Sequence, residues 1–245
     1  MTAKDKNPGG GEPITISAKT LGQLALPEFC PRCFWISVKA ERLPFQIFPG
    51  IFSVIDSYSK NLVHRWFDRH GGPPDWLRPL GEIKAYKNPP HYSKFGVIDG
   101  ATSILLRGTP DGIFIMNDNS YAIIDYKTAK FTEYQDGLFP LYEAQLNSYA
   151  FIGESVGFKP ISKLALVYTE PVTTKACFAD GSKLTTEGFR MDFTARILPV
   201  EIKPQLVPKL LQSAKSILES PAPPAGIPGC ENCMALAGLL ALASS

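Results

Sequence analysis

Gly108-Thr109-Pro110-Asp111-Gly112, followed ten residues later by Ile123-Ile124-Asp125-Tyr126-Lys127-Thr128, is the stretch that decides the fold. Gly112–Met116 and Tyr121–Tyr126 are short runs of β-branched, aromatic and other apolar residues. Asn117-Asp118-Asn119-Ser120 between them is turn chemistry, so the two runs pair as a hairpin. Asp111 starts one strand and Asp125 sits near the end of the other. Because side chains alternate along a strand, Asp125 and Lys127 share one face while Ile124 and Tyr126 point to the other. Two carboxylates meeting across a hairpin make a hard-oxygen site suited to Mg²⁺ or Mn²⁺. A lysine beside them can orient the attacking water and offset phosphate charge, which is the equipment of metal-assisted phosphodiester hydrolysis. The plainer reading makes Asp111 a turn residue and Asp125 with Lys127 a cross-strand ion pair.

On the C-terminal side, Phe139 to Ser155 is helical, with Leu141, Ala144, Leu146, Tyr149 and Ile152 among its apolar positions. Leu164–Thr169, Thr173–Phe178 and Phe189–Ile197 have strand character, Gln205 to Leu218 is a helix, and Pro221 to Gly229 is a Pro/Gly-rich linker. On the N-terminal side, Ser103–Arg107 is a strand and Pro73 to Pro90, with five prolines, is loop-like. Pro49 and Gly71-Gly72 bracket a long helix. Its Ile51, Ile55, Tyr58, Leu62 and Trp66 recur at steps of four, three, four and four and form an apolar face. Ser17 caps a short helix carrying Leu21, Leu24 and Leu26. Residues 1–13 are a Gly-, Lys- and Pro-rich flexible tail, and residues 14–245 form one domain. That domain comprises a helical part (14–100), a catalytic core (101–200) and a C-terminal helix with a Cys-x-x-Cys segment (201–245). This order specifies an α/β (α+β) fold around a mixed central sheet.

The 245 residues are 44% hydrophobic and 20% charged, enough to bury a core and unlike a disordered tail. With 25 Lys+Arg against 23 Asp+Glu, a polyanion must be met by a local patch. Met234 to Ala243, interrupted by Gly238, is about half of the roughly 20 residues of a membrane span. The polar N-terminus lacks a secretory pattern, so a cytoplasmic protein with no membrane partner is expected.

Five cysteines are present: Cys30 with Cys33, Cys230 with Cys233, and Cys177 alone. Two C-x-x-C pairs from opposite ends of the chain suggest a four-thiolate metal site. Four reduced thiols without metal are the plainer alternative, and Cys177 is expected to be a buried thiol on a strand.

The pattern G-x-x-D, a turn, then apolar-apolar-D-Y-K-T resembles the PD-(D/E)XK nuclease superfamily, in its RecB-like and CRISPR-associated exonuclease branch. Gln145-Leu146-Asn147-Ser148-Tyr149 is similar to that branch's Q-x-x-x-Y helix, whose i, i+4 pair shares one face. Cys30-Pro31-Arg32-Cys33 is similar to its N-terminal cysteine context. The resemblance spans residues 30–233. It implies a restriction-endonuclease-like core and a DNA nuclease. Asp111, Asp125 and the Tyr126 carbonyl would hold Mg²⁺ or Mn²⁺, with Lys127 positioning water and Gln145 and Tyr149 orienting strand or lysine. It also implies a [4Fe–4S] cluster on Cys30, Cys33, Cys230 and Cys233, although the branch's third late cysteine is missing and the two-plus-two spacing is one zinc prefers.

The branch usually carries a helix histidine that completes the metal shell. His64 is the candidate and Asp56 the competitor, and the glycine normally four residues before the histidine is Lys60 here. Residues 60–94 hold seven Lys/Arg against three acids among Trp66, Trp76, Tyr86 and Tyr92. That mixture suits single-stranded DNA, or equally a charged surface over core aromatics. Partners expected are DNA and a helicase or other DNA-processing protein. The alternatives from other classes are a non-catalytic nucleic-acid-binding subunit and a redox or iron-sensing thiolate protein.

Overall fold

The computed structural model describes residues 13–40, 49–131 and 137–244. Apart from Pro13, the tail expected over residues 1–13 lies outside the described residues. Strand β1 (Thr15–Ser17) runs into helix α1 (Ala18–Gly22), followed by α2 (Pro31–Lys39) and α3 (Gly50–His70). Next come β2 (Ile83–Lys87), β3 (Gly96–Ile98), β4 (Leu105–Arg107), β5 (Gly112–Met116) and β6 (Tyr121–Lys127). Helix α4 (Phe139–Ser155) leads to β7 (Ile161–Pro171), α5 (Lys175–Ala179), β8 (Leu184–Thr185), β9 (Gly188–Phe189) and β10 (Phe193–Val200). Helices α6 (Leu206–Leu218) and α7 (Glu231–Ala243) end the described chain.

Five strands in the order β10-β7-β6-β5-β2 make a mixed sheet flanked by helices, so the fold is α/β. Strands β6 and β7 are parallel and every other neighbouring pair in this sheet is antiparallel. A parallel pair cannot be closed by a tight turn, and α4 supplies the crossover. The β5–β6 hairpin turns at Asn117–Ser120. There Asn119 takes a left-handed φ of 64° and Asp118 Oδ1 accepts the Ser120 N–H.

Alternation along the strands builds a core on each face. Ile113, Ile123, Leu164, Leu166 and Tyr168 pack toward Leu146 and Ile152 of α4, Leu21 of α1 and Leu211 of α6. Phe114, Ile124, Tyr126 and Val167 pack on the other face with Val63 and Phe67 of α3 and with Leu77 and Leu80. A second, three-stranded sheet, β1-β4-β3, holds Ile16 and Leu106 against the first core. A Cβ on Gly108 would lie 2.6 Å from the Tyr149 ring and 2.9 Å from the Ala18 methyl. Only glycine lets the segment before Asp111 pass that close to α1 and α4.

Several expectations are corrected. The loop over Pro73–Pro90 contains a 3₁₀ turn at Asp75–Leu80 and the edge strand β2. The segment 14–100, expected as helical, also supplies β1, β2 and β3. The strand expected over Thr173–Phe178 is replaced by α5, because the Thr174 hydroxyl accepts the Cys177 N–H and caps a helix there. Cys177 is therefore a partly exposed helix residue and not a buried strand thiol. The strand expected over Phe189–Ile197 is divided between β9 and β10. Glu143 of α4 pairs with Lys203 at 2.7 Å and is largely covered.

The largest reversal concerns α3. Its ends are as expected, with Gly71 at φ 69° donating its N–H to the Phe67 carbonyl. The apolar stripe is turned outward, however: Ile51, Tyr58, Leu62 and Trp66 are exposed. The inward line is Asp56, Lys60, Val63 and Phe67, charged over its first half and apolar over its second. No helix of the described chain is long and apolar enough to cross a membrane.

Candidate functional site

The hairpin brings Asp111 and Asp125 to the same end of the sheet, since Gly112 pairs with Ile124 across β5 and β6. Asp111 Oδ2 accepts the Tyr126 N–H at 2.8 Å, which ties the loop before β5 to the end of β6. Tyr126, expected to lend its carbonyl to a metal, turns its ring into the core beneath α3. Asp125 points to the α4 side and is 4% exposed. Its Oδ2 is buried and receives no well-aligned hydrogen bond, although the Lys127 ammonium stands 2.5 Å away.

Helix α4 completes the arrangement. Gln145 Nε2 reaches Asp125 Oδ1 at 3.4 Å and donates to the Tyr149 hydroxyl at 2.7 Å. Gln145 Oε1 lies 3.4 Å from Lys127 Nζ, and the same ammonium sits 4.0 Å from the centre of the Tyr142 ring. One turn of spacing lets Gln145 and Tyr149 act on the end of β6 together. Asp125, Lys127, Gln145 and Tyr149, singled out from sequence, are thus joined in one network, and Asp111 is tied beside it through the Tyr126 N–H. Burial, with Asp111's charge adding to it, raises the Asp125 carboxyl to about 6 against the pull of Lys127. Burial also pushes the Tyr149 phenol upward, with the Asp125 charge adding to it, so it stays protonated.

Sequence reasoning brought α3 to the site through His64 or Asp56 but missed the part played by Lys60. Lys60 Nζ lies 2.7 Å from Asp111 Oδ1 and 2.7 Å from Asp56 Oδ2. The signal was there as an Asp-x-x-x-Lys pair at i, i+4. Among the described residues no donor reaches the buried Asp56 Oδ1, and burial, reinforced by Asp111's charge, raises that carboxyl. His64, the expected completing ligand, stacks on Tyr86 with ring centres 4.0 Å apart. Burial lowers its pKa, and the charges that act on it are Asp68 and Lys60.

The basic residues of the 60–94 segment are partly spoken for. Lys60 serves the aspartates, Arg78 pairs with Asp75 at 2.8 Å, and Lys84 reaches Asn119 at 3.3 Å. Beside the site, a groove of about 280 Å³ is lined by Leu62, Trp66, Trp76, Tyr126 and Phe193 with the Thr169 hydroxyl.

A second centre lies where α2 and α7 meet. Cys30 starts α2 as its N-cap, Cys33 lies in that helix, and Cys230 and Cys233 stand in the same relation to α7. The Sγ separations are 3.6 Å for Cys30–Cys233, 3.5 Å for Cys33–Cys230 and 3.5 Å for Cys33–Cys233. All four sulfurs lie within 4.8 Å of one another, so the group could hold a metal ion. Among the described residues it is the one set of three or more His, Cys, Asp or Glu donors that compact. Although burial alone would raise Cys30, backbone hydrogen bonds from Cys33 and Ile227 and its thiol neighbours bring it down to about 6. Burial and the neighbouring thiols drive Cys33 upward. A Cβ on Gly226 would fall 2.8 Å from the Cys233 sulfur, so the linker before α7 packs directly on that sulfur.

No family model matches the chain, and no curated protein matches it. A solved structure described as the crystal structure of SSO0001 aligns over 87% of this chain and 81% of its own length. It does so at 13% identity with a TM-score of 0.41.

Proposed function

We propose that this chain is a divalent-cation-dependent nuclease that hydrolyses phosphodiester bonds in DNA, of the PD-(D/E)XK type it resembles. The observation that carries the reading is the convergence of Asp111, Asp125, Lys127, Gln145 and Tyr149 in one partly buried network. The donor set suits a hard cation: Asp111 and Asp125 would hold Mg²⁺ or Mn²⁺, and Asp125 Oδ2 is a buried oxygen in want of an aligned partner. Such a cation supplies charge neutralisation at the phosphate and an activated water. Lys127 orients the attacking water. Gln145 fixes the lysine from one side and Asp125 from the other, while Tyr149 holds the Gln145 amide in that orientation. The half-exposed aromatic groove beside Tyr126 suits the flanking bases of a single strand.

The reading is tested by incubating labelled single-stranded DNA with the protein and Mn²⁺ or Mg²⁺. Asp111→Asn, Asp125→Asn and Lys127→Met should each abolish cleavage while circular dichroism stays unchanged. Full cleavage by the Lys127→Met protein overturns it. A non-catalytic nucleic-acid-binding subunit is the second reading. It is favoured by the position of Lys60 at Asp111 and of His64 against Tyr86, and DNA binding without products in either metal would select it.

At the cysteines we favour one zinc ion. Four thiolates at the usual Zn–S length of about 2.3 Å stand about 3.8 Å apart, close to the spacing here. A [4Fe–4S] cluster places four irons and four sulfides between its thiolates and needs a wider cage. The ligands come from the two ends of the domain, so the metal's role is structural.

A further inference from the structure

The Lys60 ammonium occupies the approach to Asp111, the carboxylate that a divalent cation must use. It is shared evenly, 2.7 Å from Asp111 Oδ1 and 2.7 Å from Asp56 Oδ2. The other Asp111 oxygen is committed to the Tyr126 N–H, so Oδ1 is the atom left for a cation. A divalent ion on that oxygen would stand within a few ångströms of the ammonium, and at that distance the repulsion is large. Lysine and metal therefore compete for one atom. Two features show where the lysine goes when it loses. Asp56 lies one helical turn before Lys60 on the same face of α3, so the ammonium can stay on it while leaving Asp111. Among the described residues, no donor reaches the buried Asp56 Oδ1, an acceptor next to the one already in use. Across the site, the Asp125 side chain is 5% exposed and its Oδ2 faces the Lys127 ammonium at 2.5 Å, so both acids of the pair are held by lysines.

We infer that Lys60 is an exchangeable internal cation that keeps the acidic site closed, and that a divalent metal enters by displacing its ammonium from Asp111 onto Asp56. The inference rests on the cation-dependent nuclease reading and adds to it how metal affinity is set. Lys60 acts through Asp111 and is a positioning residue.

Local charge argues the same way. While Lys60 sits on Asp111 that carboxylate is neutralised, so a divalent ion gains little attraction there until the ammonium withdraws onto Asp56. A site so balanced binds metal weakly, and binding becomes sensitive to any change at position 60. With Lys60 removed, no ammonium competes for Asp111 Oδ1, and the ion meets that oxygen open.

The test is equilibrium Mn²⁺ binding, read from the paramagnetic signal of the free ion. It uses the full chain with one equivalent of zinc added beforehand to fill the cysteine site. Lys60→Met should bind Mn²⁺ about tenfold more tightly or better, Lys60→Gln should follow it, and Lys60→Arg should stay near the unaltered protein. Asp56→Asn should weaken Mn²⁺ binding in the unaltered background and have little effect beside Lys60→Met. If Asp56 were simply a metal ligand, the loss would be the same in both backgrounds. Equal or weaker Mn²⁺ binding by Lys60→Met overturns the inference and leaves the nuclease reading standing. Absence of Mn²⁺ binding from every form overturns both.

Discussion

Cys30 and Cys233 are separated by 203 positions, yet their sulfurs lie 3.6 Å apart. A metal held by this pair with Cys33 and Cys230 would close almost the whole domain into a loop. A cross-link across so long a loop stabilises by removing freedom from the unfolded chain, by about 5 kcal/mol on the scale known for disulfides. Strong chelators or Cys230→Ser should therefore lower the melting temperature by about 10–20 °C for a domain of this size. Elemental analysis should find one zinc per chain and no iron, and a calorimetric scan with and without chelator checks the stability.

Asp125 offers a pH-dependent prediction. Its carboxyl is raised from 3.8 to about 6 by burial and by Asp111's charge. The folded chain thus keeps a proton there that the unfolded chain would lose. Asp125 favours folding below pH 3.8, and its contribution is lost as pH rises toward 6, leaving an ionised buried group at neutral pH. Asp125→Asn should consequently stabilise the protein at pH 7.5, by about 1–3 kcal/mol, while abolishing cleavage. Urea unfolding at pH 7.5 and at pH 4.5 should show the gain shrinking at the lower pH.

Gln145 and Tyr149 should separate positioning from folding. Tyr149→Phe removes the hydroxyl that accepts the Gln145 amide at 2.7 Å and keeps the ring that packs on Gly108. The expected cost in stability is about 1 kcal/mol. Cleavage should fall by about tenfold with unchanged DNA affinity, because Lys127 loses its fixed neighbour.

Adjacent residues on α3 should behave oppositely. Phe67 is 6% exposed and Trp66 is 44% exposed. Phe67→Ala opens a cavity beneath Phe114 and Tyr86 and should cost about 3–5 kcal/mol. Trp66→Ala should cost less than about 1 kcal/mol. If the aromatic groove holds bases, it should weaken single-stranded DNA binding several-fold, which a fluorescence anisotropy titration would show.

The two aromatics also mark where sequence and structure part. The β5–β6 hairpin and α4 were legible because each carries local signals: alternation, an Asn-rich turn, and a long apolar period. The direction of α3 was not. Its most regular stripe, Ile51 to Trp66, identifies a helix, but periodicity does not say which face meets the sheet. The inward face starts with Asp56 and Lys60, charges a sequence pattern assigns to solvent, and their partner Asp111 is 51 residues from Lys60. Strand β2 was hidden among prolines because its pairing with β5 is non-local. At 173–178, β-branched residues suggested a strand, and one capping hydroxyl on Thr174 decided for a helix. The network of Asp111, Asp125, Lys127, Gln145 and Tyr149 was legible as spacing; Lys60's part in it required the fold.

The closure by cysteines at both ends has a consequence for biosynthesis. Cys30 and Cys33 leave the ribosome while Cys230 and Cys233 are still about 200 codons from being translated. At roughly 5–20 residues per second, the first two thiols wait about 10–40 s without their partners. A metal held by all four sulfurs could be loaded only once Cys233 has been made, and until then the first two thiols would stand without their partners.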